Sequence, residues 1–205
     1  MSEIYLISPQ QITLKQFSYD LVSALETGLI PLFQLRLKNY EDKEVIKIAT
    51  ELRKICSDFD VKFIVNDSYK IALKARADGV HVGVDDDDIK SIKQIVGNNF
   101  IIGASCYDKK NLALSATTKG ATQISFGAFF SSITKTSRGK PSPEILTWAK
   151  QEINLPIVAI GGINDENCSI LVESGADYLA VISYVWQHEK GIEYAIKKMH
   201  NIISK

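Results

Sequence analysis

Apolar residues along this chain follow two rhythms that take turns. Short runs rich in β-branched and aromatic residues recur at 4–7, 32–37, 62–65, 79–82, 100–105, 123–129, 156–160 and 178–182. Each is too short for a buried helix and is bounded by turn or polar residues, so each is predicted to be a strand. Between them the spacing lengthens to that of a helix. In 41–59, Val45, Ile48, Ala49, Leu52, Ile55, Cys56 and Phe59 form one stripe, with Glu44, Lys47, Glu51 and Lys54 off it. Similar stripes cover 14–25, 69–77, 109–118, 143–152, 165–174 and 191–203, and a further helix is expected to start at Ile89. Gly28, Gly79, Gly120 and Gly175 fall where helices should end, each shortly before the next strand.

Eight strands alternating with helices imply a parallel sheet. Eight such units can close into a (β/α)8 barrel, and 205 residues is a compact length for one. A doubly wound open sheet has the same periodicity and stays open at this point. No linker, composition break or low-complexity tract divides the chain, so residues 1–205 are expected to form a single TIM-barrel domain. The longest polar connection, 131–143, is expected to be a functional lid.

Composition narrows the partners. With 24 basic and 24 acidic residues the formal charge is zero, which argues against a broad nucleic-acid or anionic-membrane surface. The N-terminal "MSEIYLISPQ" has an early glutamate and no basic region, unlike a signal or transit peptide, and no apolar stretch nears bilayer length. Cys56, Cys106 and Cys168 are odd in number and widely spaced, reading as reduced thiols of a cytoplasmic protein.

The unusual residues cluster at the C-terminal ends of the predicted strands, where a parallel barrel carries its chemistry. Gln34, Arg36 and Lys38 alternate with Phe33, Leu35 and Leu37, placing the polar three on one side, toward the barrel mouth. Burying Arg and Lys there without an anion would be costly. Strand 3 ends in Asn66-Asp67, and strand 4 is followed by Asp85, Asp86, Asp87 and Asp88. Four adjacent carboxylates are more than a helix start needs. One reading makes them a solvated cap; another lets Asp67, with Asp85 or Asp86, hold Mg²⁺, which takes one or two carboxylates plus phosphates and water. Strand 5 ends in Ser105, and Ser132, Thr134 and Lys135 follow strand 6. Gly161-Gly162 after strand 7 offers backbone N–H groups at a helix start, and Ile182-Ser183 after strand 8 could complete a phosphate site. Cations and a metal together suggest a diphosphate whose departure is stabilised. No His is placed with an acid and a nucleophile, which argues against a hydrolytic triad. His81, inside strand 4, is read as a packed or hydrogen-bonded core residue.

These residues, in this order, resemble the thiamine phosphate synthase family. The segments are "QLRLK" (34–38), "VND" (65–67), "DGVHVGVDD" (78–86), "IIGASC" (101–106), "FGAFFSSITK" (126–135), "VAIGGI" (158–163) and "AVIS" (180–183). The resemblance implies a (β/α)8 barrel joining hydroxymethylpyrimidine diphosphate to a thiazole phosphate with release of diphosphate. Gln34, Arg36, Lys38, Asn66, Ser105 and Lys135 would contact the pyrimidine diphosphate. Arg36, Lys38, Lys135 and Ser105 would carry the chemistry, Asp67 and Asp86 would hold Mg²⁺, and Ser132, Thr134, Gly162, Ile182 and Ser183 would form the thiazole phosphate site. The partners implied are these small molecules, with no nucleic acid or membrane; the oligomeric state stays open. Val84 stands where the family usually has Gln, Leu37 where Glu is common, and Ser132 where Thr is usual. The related thiazole tautomerases place an acid/base His where Tyr107 stands here and do not need the paired aspartates. A noncatalytic phosphate-ligand sensor on the same scaffold could lose the diphosphate cations, which this chain retains.

Overall fold

The computed structural model describes residues 2–131 and 139–204. Its strands β1 (Glu3–Ile7), β2 (Leu32–Leu35), β3 (Lys62–Asn66), β4 (Gly79–Val82), β5 (Ile101–Tyr107), β6 (Gln123–Gly127), β7 (Ile157–Ile160) and β8 (Tyr178–Val181) are all parallel. They close in sequence order, β8 returning to β1, so the open-sheet alternative falls away. The helices are α1 (Leu14–Leu25), α2 (Asp42–Asp58), α3 (Tyr69–Lys74), α4 (Ile89–Val96), α5 (Lys110–Lys119), α6 (Glu144–Glu152), α7 (Cys168–Glu173), α8 (Ser183–Trp186) and α9 (Ile192–Ile203). The short α8 breaks no apolar rhythm in the sequence and was not anticipated.

Strand alternation sorts the core into two layers. Outward residues such as Phe33, Phe63, Val80, Ile102, Ile124 and Leu179 are sealed under the helices. Inward residues Tyr5, Ile7, Leu32, Ile64, Val158 and Ala180 fill the barrel itself. The α2 stripe buries Ile48, Ala49, Leu52 and Cys56, while Phe59 caps the helix and stays 37% exposed. At α4, Asp88 is the N-cap, accepting from the Ser91 N–H at 3.2 Å.

Three strands, β2, β6 and β8, stop short of the ends of their apolar runs, β8 by one residue at Val181. β2 ends at Leu35 and β6 at Gly127, because Leu37 and Phe129 pack against the core without entering the sheet ladder. Gly79 is not a helix terminus but the first residue of β4, where a Cβ would meet the Ile101 carbonyl at 2.5 Å. The left-handed position after α3 is taken by Arg76 instead.

At the N-terminal rim, one arrangement recurs before β4, β6 and β8. Asp78 donates its N–H to the Phe63 carbonyl at 2.8 Å, and its carboxylate accepts from the Phe63 N–H at 2.9 Å. Asp177 does the same with Ile157, both at 2.8 Å, and Thr122 with Ile102 through its hydroxyl, again both at 2.8 Å. Each clasp satisfies the backbone of the preceding strand where its ladder begins. Arg53 and Lys150 close on Asp78 and Asp177 from α2 and α6.

Candidate active site

At the opposite rim the inward positions turn polar. Gln34, Asn66, His81, Ser105 and Ser125 line a cavity of about 410 Å³ that opens at the C-terminal ends of the strands. Arg36, Lys38, Asp67, Asp85, Asp86, Gly162, Ile182 and Ser183 line the same cavity. The residues singled out in the sequence therefore converge, apart from Ser132, Thr134 and Lys135, which lie outside the described residues, as does most of the expected lid.

Local geometry explains how each group is presented. Gln34 is buried, and its Nε2 donates to the Tyr5 hydroxyl at 2.7 Å. Arg36 and Lys38 lie past the end of β2, anchored by Arg36 N–H donating to Ser8 Oγ (2.8 Å) and Lys38 N–H to the Gln10 carbonyl (3.0 Å). Asp67 leaves β3 at φ 67°, a left-handed conformation unusual for a side-chain-bearing residue, and its N–H is held by the His81 carbonyl at 2.8 Å. That turn brings its carboxylate to Lys38 Nζ, 2.5 Å away.

The acidic run divides its labour. Asp86 accepts from the Gly83 N–H at 2.7 Å, which folds the carboxylate back over the cavity. Asp88 points outward as the α4 cap and pairs with Lys119 at 2.8 Å. Burial pushes the Asp86 carboxyl up; the Gly83 N–H opposes this, and the charge of Asp67 adds to the rise. Burial lowers the Arg36 guanidinium, with Asp67 partly restoring it. Two carboxylates held within each other's field suit a divalent cation whose remaining ligands come from phosphate and water. Among the described residues no three His, Cys, Asp or Glu side chains gather into a closed metal cage.

The far wall differs from the sequence expectation. Gly161 (φ 108°) and Gly162 (φ 62°) do not open a helix, since α7 begins only at Cys168. Their lack of side chains serves close packing: a Cβ on Gly162 would meet the Ser131 carbonyl at 2.6 Å, and one on Gly161 the Ala128 Cβ at 2.3 Å. The helix start on this wall belongs to α8, beginning at Ser183 directly after β8, and its first N–H groups have no intrahelical acceptors.

Sequence reasoning left His81 in the core; it does hydrogen-bond, Nε2 to Ser105 Oγ at 2.9 Å, but it also faces the cavity. Its parity with Gly79 on β4 is the signal that carried this, once closure makes that face the interior. Tyr5, Gln10, Ser125 and Tyr107 were also missed as lining residues. Tyr107 reaches the cavity because a register shift between Ser105 and Tyr107 turns it inward at φ 54°, which alternation does not foretell.

The comparisons agree with this arrangement. The profile of the family described as thiamine monophosphate synthase matches residues 4–185. The chain is 38% identical over 200 residues to a thiamine-phosphate synthase of Rhodospirillum centenum, covering 98% of this chain and 97% of that one. It is 40% identical to one of Erythrobacter litoralis, covering 92% and 90%. A solved thiamine phosphate pyrophosphorylase of Pyrococcus furiosus superposes with a TM-score of 0.85 at 34% identity, covering 98% of this chain and 95% of that one. A 3-hexulose-6-phosphate synthase at 16% identity and TM-score 0.71 shares the fold alone. With the profile spanning most of the barrel and these relatives aligned nearly end to end, the chain belongs to the thiamine monophosphate synthase family and is a transferase.

Proposed function

We propose that this transferase joins hydroxymethylpyrimidine diphosphate to a thiazole phosphate, releasing diphosphate and forming thiamine phosphate. The observation that carries the reading is one cavity in which Arg36 and Lys38 stand beside Asp67 and Asp86, above a polar wall of Gln34, Asn66 and Ser105. Cations and paired carboxylates at one mouth suit a Mg²⁺-bound diphosphate, and the wall below suits a heteroaromatic ring with hydrogen-bonding edges.

In the proposed reaction the methylene C–O bond of the pyrimidine substrate breaks, and its electron pair leaves on the diphosphate. The thiazole nitrogen lone pair then forms the new C–N bond at that methylene. When bound, Mg²⁺ held by Asp67 and Asp86 would neutralise charge on the leaving diphosphate. Arg36 and Lys38 bind the same oxygens, Arg36 as a fork and Lys38 as a point charge. Gln34, Asn66 and Ser105 hold the ring in line with the incoming nucleophile, which is where most of the acceleration arises. Ser183, Ile182 and Gly162 receive the thiazole phosphate near the start of α8. Lys135, Ser132 and Thr134 join these two sets by their place in the family pattern. No side chain has to move a proton between the two bond changes. Three buried thiols suit a cytoplasmic setting.

The tautomerase reading has less support, since it needs an acid/base where Tyr107 stands and has no use for paired carboxylates. The test is a single-turnover experiment with both substrates, following diphosphate release with and without Mg²⁺. Diphosphate released only when both substrates and Mg²⁺ are present supports the reading. Metal-independent thiazole tautomerisation without diphosphate release overturns it.

A further inference from the structure

The inward face of β1 and β2 places a phenol beside an amide. The sheet pairs Tyr5 with Leu32 and Ile7 with Gln34, so Tyr5 and Gln34 point the same way, two positions apart along the wall. Both are buried, at 1% and 2% exposure, and both line the cavity. The Tyr178 ring meets Tyr5 edge-on at 6.3 Å and holds the phenol in place. Burial pushes the Tyr5 hydroxyl well above the ordinary tyrosine range, so it stays protonated. Gln34 Nε2 donates to that hydroxyl at 2.7 Å, and Gln34 Oε1 meets no donor among the described residues.

A primary amide has two unlike ends, since its nitrogen only donates and its oxygen only accepts. Half a turn about the last side-chain bond exchanges them, so a neighbour has to decide which end a ligand meets. We propose that Tyr5 is a positioning residue: by accepting the Gln34 Nε2–H, it leaves Oε1 as the end that faces the substrate. There Oε1 accepts an N–H from the edge of the pyrimidine ring. The ring that fits carries an exocyclic amino group at that edge. An oxo group in the same place would set two acceptors against each other, as happens when an amide reads the wrong base. Tyr5 thus governs specificity through Gln34. The choice between the two rings rests on the function proposed above; the orientation of the amide does not.

The amide can be read without substrate in a ¹H–¹⁵N correlation spectrum, its Nε2 protons assigned by their loss in Gln34→Met. One of the two is expected to be displaced from the ordinary side-chain amide position by its bond to the phenol. Tyr5→Phe keeps the ring and its contact with Tyr178, removes only the oxygen, and should return that proton to the ordinary position. A native pair with no displaced proton, or one unmoved by Tyr5→Phe, overturns the proposal. Kinetics then test the selection, as the ratio of kcat/KM for an aminopyrimidine diphosphate to that for its oxo analogue. Tyr5→Phe should lower this ratio about tenfold or more, chiefly by raising KM for the amino compound. Equal losses on both compounds, as a general loosening of the barrel would give, overturn the role in selection. Should Tyr5→Phe not fold, the native spectrum and the native ratio decide, and an oxo analogue used as well as the amino compound overturns the proposal. The expected amide shifts without diphosphate release from either compound would overturn the proposed function and keep the orientation of Gln34.

Discussion

Lys38 Nζ rests 2.5 Å from Asp67 Oδ2, an ion pair at the mouth of the barrel with each side chain about two-fifths exposed. The lysine thus occupies the carboxylate that the proposed Mg²⁺ would share with Asp86. In the proposed reaction, cation and metal would compete for one anion until a second anion, the diphosphate, arrived to hold the lysine.

Lys38→Met should accordingly separate two affinities. Binding of Mn²⁺ alone, followed by electron paramagnetic resonance, is expected to tighten a few-fold because a neighbouring positive charge is gone. Binding of diphosphate in the presence of metal is expected to weaken about tenfold or more. Losses in both measurements would show that Lys38 does not act as the stand-in for the metal.

Within the acidic stretch, neighbouring residues should behave differently. Asp67→Ala or Asp86→Ala is expected to lower turnover by roughly 100-fold or more, the scale of removing metal-borne charge from a leaving group. Asp88→Ala should leave turnover intact and cost only part of the α4 cap and its pairing with Lys119. Steady-state rates over a range of Mg²⁺ concentrations distinguish the three, and an Asp88 variant as impaired as Asp86 would break the assignment.

Glycine positions can be ranked in the same way. Gly28 and Gly162 both have left-handed backbones, at φ 68° and 62°. Around Gly28 a Cβ would find nothing within 4 Å, whereas on Gly162 it would press on the Ser131 carbonyl at 2.6 Å. Gly28→Ala should cost about 1–2 kcal/mol from backbone strain alone. Gly162→Ala should cost more and raise KM for the thiazole phosphate. Urea unfolding of the two variants gives the comparison, and equal losses would mean that the 128–131 wall yields freely.

The cysteines should be silent in the folded protein. All three are buried, and burial pushes the Cys56 and Cys106 thiols up to about 12 and raises Cys168 as well. Raising a thiol's pKa lowers its thiolate fraction, so reaction with an aromatic disulfide reagent at pH 8 should be negligible. Three thiols should appear on unfolding in denaturant. Fast reaction of any one natively would indicate local opening around it.

Much of this was legible in the chain, for reasons that particular residues make plain. Period-two runs such as 62–65 and the α2 stripe are local signals, and local signals survive in a sequence. Barrel closure is not local: it depends on β8 finding β1, as in the pairing of Leu6 with Val181. The same gap hid His81, whose face becomes an interior only when the sheet closes. Tyr107 was out of reach because a bulge, not a periodicity, turns it. α8 is four residues long, too short to leave a helical stripe.

The clasps at Asp78, Thr122 and Asp177 lie at the N-terminal rim, where β4, β6 and β8 begin, far from the polar mouth. Asp177→Ala should therefore unfold the protein more readily, by about 1–3 kcal/mol for the stranded Ile157 N–H, while leaving kcat untouched. Anchoring and chemistry occupy opposite rims, so the scaffold can drift at one without disturbing the other. A chain built this way is open to remodelling: loops at the mouth can be exchanged for new specificities while the three strand pairs fastened below keep their alignment. It also offers natural seams, since each clasped strand pair with its helix is a unit that could be cut from the barrel and spliced into a related one.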